Sequence, residues 1–257
     1  MGEKRERNKK MKFIFLVGVE GTGHHMIRAI LKGHFEKLGF IDEGLYHDVL
    51  LNRWDVNRRF NRENRLIRIF KNDNCRKRLD NIFNRYLSQN ATHLFESASF
   101  PYFNPRDTLR RPDIIDFMEL TDGLPIDVRF LILYRDPVAA TYSAYRRKIS
   151  NNIFEQTKIV EDNLIYIERQ FSQINEDDYR ILIFENFIKD AERYSKALSA
   201  WWGLDEQILI SDLNNLHEPN HLVKASKEEL EKIDNHFSSK RIKQWSSFFS
   251  RNILSKV

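Results

Sequence analysis

The chain has 257 residues, 41% of them hydrophobic and 12% aromatic. That is enough apolar material for the core of one medium-sized domain, and it excludes wholesale disorder. The net charge of +5, from 42 basic and 37 acidic residues, suits an anionic ligand better than a nucleic-acid duplex, which needs basic residues gathered on one face.

Cys75 is the single cysteine, so no disulfide forms within the chain and a reduced compartment is expected. No run of about 18 apolar residues is present, so no membrane span is expected. Residues 1–11 are basic and read as a flexible tail. The apolar stretch 13–17 behind them is too short for a signal peptide, and Glu6 breaks the myristoylation pattern. The expectation is one cytoplasmic domain over residues 1–257, with the oligomeric state left open.

Four short apolar runs predict buried parallel strands. In chain order they are KFIFLVG (12–18), THLFESA (92–98), VRFLILYR (128–135) and YRILIFEN (179–186). Helical spacing follows the first, through Met26, Ile27, Ile30, Leu31 and Leu38. Further helices are expected over 137–148, 163–171 and 189–202, and the piece from Ser226 reads as helical to about Trp245. Strands alternating with helices imply an α/β fold: a central parallel sheet of about four or five strands, covered on both faces. Residues 52–86 differ, with Arg and Asn interleaved by Phe60, Leu66, Ile69, Phe70, Leu79, Ile82 and Phe83. They read as a helical insertion or lid with solvated basic faces rather than as a nucleic-acid surface.

Two stretches carry chemistry. In FLVGVEGTGHHM (15–26) a strand runs into three glycines and a helix starts at once. Glycines let the backbone aim several N–H groups at one anion, and the helix start adds partial positive charge. Gly18 and Gly23 match the front half of a nucleotide-triphosphate loop. Its Lys and its Ser or Thr are replaced by His24 and His25, so the phosphate cation and the Mg²⁺ ligand of a kinase are both missing. In FLILYRDPVAATYSAYRRK (130–148) a buried strand ends at Arg135, and Asp136 and Pro137 turn the chain into a helix that carries Ser143. An Arg at the carboxyl end of a strand faces the crevice where open α/β sheets bind ligands, and its planar fork suits a phosphate.

With these residues the chain resembles the sulfotransferases that use 3′-phosphoadenosine 5′-phosphosulfate (PAPS). Gly21-Thr22-Gly23-His24-His25 is similar to the family's 5′-phosphosulfate loop, (K/R)-(S/T)-G-T-T. Arg135, Asp136, Pro137 and Ser143 match its 3′-phosphate motif, R-D-P-x5-S. RILIFENFIKDAER (180–193), AWWGL (200–204) and SKRIKQWSSFFS (239–250) resemble later family segments. The resemblance implies a P-loop-like sulfotransferase fold with PAPS as donor. Gly21, Thr22, Gly23, His24, His25 and Met26 would hold the 5′ end, and Arg135 and Ser143 the 3′-phosphate. Arg241, Lys243 and Trp245 would close over the nucleotide. No metal is required.

The chain departs from the family at Gly21, where relatives carry the loop cation. His24, His25 and Arg28 are the candidates to replace it. The base of cytosolic relatives falls on Ser99 here, so a carboxylate is expected instead: Glu43 first, Asp42 second, Glu96 third, with His24 a further catalytic candidate. A base of the Glu43 type leans toward a hydroxyl of a carbohydrate or glycan, with a small molecule as the other acceptor class. The alternatives are a small-molecule P-loop kinase and an inactive nucleotide- or glycan-binding module.

Overall fold

The computed structural model describes residues 10–27, 65–100, 114–203, 225–237 and 239–254. Four parallel strands form one sheet in the order β2-β1-β3-β4: β1 (Met11–Val19), β2 (His93–Phe100), β3 (Ile126–Tyr134) and β4 (Tyr179–Ile183). β1 is central, with Gly18 opposite Ser99 of β2 and Leu133 of β3. Its sequence, MKFIFLVGV, is apolar on both faces because both faces are covered. From β1 the chain moves to one side of the sheet for β2, then returns past it to β3. The carboxyl ends of β1 and β3 therefore flank the point where the strand order reverses, the place where open α/β sheets bind ligands.

The helices are α1 (Arg65–Ser88), α2 (Ile114–Thr121), α3 (Pro137–Arg146), α4 (Ile153–Phe171), α5 (Phe184–Lys189), α6 (Ala191–Trp202), α7 (Lys227–His236) and α8 (Ser239–Phe249). Side chains alternate along each strand and divide into two cores. Phe13, Phe15, Phe130 and Ile132 lie with Phe83 of α1, Phe117 of α2, Phe171 of α4 and Trp245 of α8. Ile14, Leu16, Leu131, Leu133 and Leu182 face α6 through Tyr194, Leu198 and Trp202. Within residues 52–86, Leu79 and Phe83 are fully buried and Phe83 packs edge-on against Phe13, so this part of α1 covers the sheet.

Three elements differ most from their predicted bounds. β4 stops at Ile183, and Phe184 opens α5 instead of continuing the strand. The periodicity changes there: Phe184 and Phe187, three apart, are both buried as on a helix. α4 begins at Ile153, ten residues before its predicted start, because Asn152 caps it by accepting from the Glu155 N–H at 2.7 Å. The C-terminal piece is two helices, and α8 runs past Trp245 to Phe249. Beyond α8 the chain returns to the sheet, where the Ile181 N–H donates to Asn252 O at 2.9 Å.

Candidate anion-binding site at the switch point

The turn after β1 is built by backbone geometry. Gly21 and Gly23 have φ of +93° and +95°, which L side chains rarely adopt. A Cβ on Gly21 would lie 2.1 Å from the Ala140 carbonyl oxygen of α3, and one on Gly23 would lie 2.6 Å from the Phe184 ring. Thr22 is fully buried and its hydroxyl donates to Val19 O at 2.7 Å, which pins the turn to the strand end. A helical stretch begins at His24.

Arg135 joins this turn to the second motif. It is 7% exposed, and one of its terminal amino groups donates to Gly21 O at 3.0 Å. Its guanidinium stands over the Phe184 ring at 4.4 Å, and its Nε lies 3.8 Å from the Glu185 carboxylate. Glu185 also accepts from the Asp136 N–H. Burial holds the Glu185 carboxyl above its usual range, against the pull of those backbone bonds and of Arg135. Asp136 caps α3 by accepting from the Ala139 N–H at 2.9 Å, and Pro137 takes the first helical position. Ser143 is buried one and a half turns further along α3.

His24 is buried, and neither ring nitrogen makes a well-formed hydrogen bond among the described residues. Burial pushes its imidazole from 6.5 down to about 4, against the nearby Glu20 carboxylate and Gly18 backbone. At neutral pH His24 is therefore uncharged. The unfolded chain takes up this proton first as pH falls. Stability is thus fully present above about 6.5 and lost progressively down to about 4, by up to about 3 kcal/mol. Urea unfolding at pH 7 and pH 4.5 checks this: His24→Asn should lose less stability across that window than the parent.

Other predicted residues fall elsewhere. Glu43, Asp42 and Arg28 lie outside the described residues. His25 is exposed and Met26 half-buried at the start of the helical stretch. Glu96 is not at the end of its strand: β2 continues to Phe100, and Glu96 sits opposite Phe15, three residues (about 10 Å) below the level of Gly18. It shares the core-facing side of β2 with Leu94, is 3% exposed and accepts from the Ser97 N–H. Trp245 is fully buried against Phe237, so in this structure it anchors α8 in the core. Arg241 is held toward α4, 4.0 Å from Glu161, and Lys243 is exposed. What α8 does give the strand end is Phe249, stacked 4.2 Å from Tyr134, whose hydroxyl burial pushes up to about 12.

Sequence reasoning missed Glu20 and Arg147. One Glu20 oxygen accepts from the Ser99 hydroxyl of β2, and the other is 2.8 Å from the Arg147 guanidinium. Glu20 adjoins the loop, and Arg147 lies within the second motif's stretch, but their pairing spans 127 positions. Among the described residues no group of three or more His, Cys, Asp or Glu is gathered to hold a metal, and no helix is long and apolar enough to cross a membrane.

No protein-family model matches the chain, and no curated protein matches it. Solved structures do match it, the following two among them. One is the sulfotransferase domain from the Synechococcus PCC 7002 olefin synthase, with 14% identity, a TM-score of 0.53 and coverage of 98% of this chain and 99% of that one. The other is the sulfotransferase domain from the curacin biosynthetic pathway, with 12% identity, a TM-score of 0.53 and coverage of 95% and 99%. The chain has the α/β fold of these sulfotransferase domains.

Proposed function

We propose that the chain is a sulfotransferase that takes a sulfuryl group from PAPS and passes it to a hydroxyl of an acceptor. The observation that carries this reading is the meeting of the glycine turn and the Arg135-Asp136-Pro137 motif at one switch point, tied by the 3.0 Å bond from Arg135 to Gly21 O. A nucleotide with a phosphosulfate at one end and a separate phosphate at the other needs two adjacent anion stations. The likeness in fold to two sulfotransferase domains supports the same reading.

In this reading residues 21–26 hold the 5′ end of the donor, and Arg135 and Ser143 its 3′-phosphate. The donor supplies an activated sulfuryl group, and the reading needs no metal ion. The protein aligns donor and acceptor and balances charge on the departing bisphosphate. His24, neutral and with no well-formed hydrogen bond to either ring nitrogen among the described residues, can offer an N–H to an anionic oxygen. The acceptor oxygen bonds to sulfur, the bond from sulfur to the bridging oxygen breaks, and the hydroxyl proton passes to a carboxylate. Glu43 is the first choice for that base and Asp42 the second, and a base of the Glu43 type favours a carbohydrate acceptor. The single cysteine fits a cytoplasmic setting.

Calorimetric titration with adenosine 3′,5′-bisphosphate, beside ATP with Mg²⁺, tests the reading. Binding of the bisphosphate in clear preference to ATP is the expected result, and it opens a screen of hydroxyl acceptors. Binding of ATP–Mg²⁺ alone would favour a kinase, and binding of neither would overturn the donor site. Bisphosphate binding without transfer to any acceptor would leave a nucleotide-binding module.

A further inference from the structure

We infer that Arg147 supplies the positive charge that the glycine turn lacks, and that Glu20 holds it in readiness beside the 5′ end of the donor. The inference rests on the sulfotransferase reading and goes on to name the residue that grips the phosphosulfate end.

Position 21 cannot carry a cation. Its φ of +93° and the 2.1 Å approach to Ala140 O leave no room for any Cβ, so the charge has to come from another position; Arg28, one candidate, lies outside the described residues, and His25 is exposed beside the turn. His24 is neutral at working pH. Arg135 is turned to the back of the loop, between Gly21 O, Phe184 and Glu185. Arg147 is placed differently. It is the C-cap of α3, where its own N–H donates to Ala144 O and Tyr145 O, and Lys148 at φ +58° ends the helix. That fixed backbone delivers the guanidinium to Glu20, the residue next to Gly21.

The geometry is that of a parked cation. The Arg147 side chain is 39% exposed, while Glu20 is 15% exposed and anchored by the Ser99 hydroxyl. The charges of both Glu20 and Arg147 are felt at His24, inside the turn. A dianion entering the turn is a stronger acceptor for the guanidinium than one carboxylate, and in this inference the partly exposed Arg147 side chain turns from Glu20 to meet it. Glu20 keeps the cation at the mouth of the turn in the unliganded protein, at the cost of a negative charge beside the incoming anion.

This arrangement predicts effects of opposite sign at the two partners. Calorimetry with adenosine 3′,5′-bisphosphate and with adenosine 3′-monophosphate, which lacks the 5′ group, reads them. Arg147→Ala should weaken the bisphosphate by about tenfold to a hundredfold and leave the 3′-monophosphate unchanged, with partial recovery in Arg147→Lys. Glu20→Gln should tighten the bisphosphate roughly threefold or more, because it removes a like charge and releases the guanidinium. The inference is overturned if Arg147→Ala binds the bisphosphate as the parent does. It is also overturned if that variant loses both ligands equally, or if Glu20→Gln weakens binding as Arg147→Ala does, since either marks a merely structural ion pair. A parent that binds the bisphosphate while Arg147→Ala has no effect refutes the inference and spares the sulfotransferase reading. A parent that binds neither nucleotide refutes both.

Discussion

Gly21→Ala should destabilise the protein by about 2–5 kcal/mol and abolish bisphosphate binding. Two independent penalties add at this position. An L residue held at φ of +93° costs roughly 1–2 kcal/mol. The added Cβ would also stand 2.1 Å from Ala140 O and 2.8 Å from its carbonyl carbon, both backbone atoms inside α3, and such overpacking costs roughly 1–3 kcal/mol. Relief would require the turn to move away from α3, and in the proposed site it is the turn that aims N–H groups at the anion. Gly123→Ala is the matched control. It has φ of +73°, but its nearest neighbour is the Arg76 guanidinium at 3.2 Å, the end of a flexible side chain. It should cost only about 1 kcal/mol and leave binding intact. Urea unfolding and calorimetry on both variants decide the matter, and equal losses would mean that the close approach of loop and helix does not matter. Gly21→Lys, which puts in place by letter the cation of the resembled loop motif, should fail as Gly21→Ala does.

The parts of this protein that were legible in its sequence are those set by local chemistry. Buried parallel strands are near-continuous apolar runs, so KFIFLVG and FLILY announced β1 and β3 within a residue or two. A strongly positive φ favours glycine and a helix start favours a cap, so Gly21, Gly23 and Asp136-Pro137 marked both turns at the switch point. What local chemistry does not fix was read less well. Phe184 continues an apolar run and looks like strand, yet the chain turns there, and its ring fills the space behind Gly23 and under Arg135. Trp245 sits in a basic segment that suggests a nucleotide clamp, but burial against Phe237 is decided by how α8 docks. Glu96 resembles a strand-end carboxylate only if β2 stops early, and pairing with β1 carries it on to Phe100. The Glu20–Arg147 pair depends on where α3 ends, and Lys148 in left-handed backbone gives no composition signal for that.

Arg135→Ala separates the two duties that fall on that residue. The side chain ties Gly21 O to the strand end, covers Phe184 and faces Glu185, so its loss leaves a half-buried carboxylate without its cation. Losing the hydrogen bond to Gly21 O, the stacking on Phe184 and this partly exposed pairing together should cost about 2–3 kcal/mol. In the proposed site the same guanidinium also meets the 3′-phosphate, and losing that contact should weaken the bisphosphate by about a hundredfold. Glu185→Gln in the Arg135→Ala background removes the stranded charge and should return about 1 kcal/mol of stability, a coupling expected of groups in contact. Binding should not return with it, because a neutral amide at 185 replaces none of the charge offered to the phosphate. Arg135→Lys keeps a cation but has no planar fork to lie on Phe184 while reaching Gly21 O, so it should recover part of the binding and little of the stability. If stability and binding recover together in the Arg135→Ala, Glu185→Gln double variant, Arg135 only braces the loop, and the 3′-phosphate must be met by other groups, with Ser143 the first to be changed.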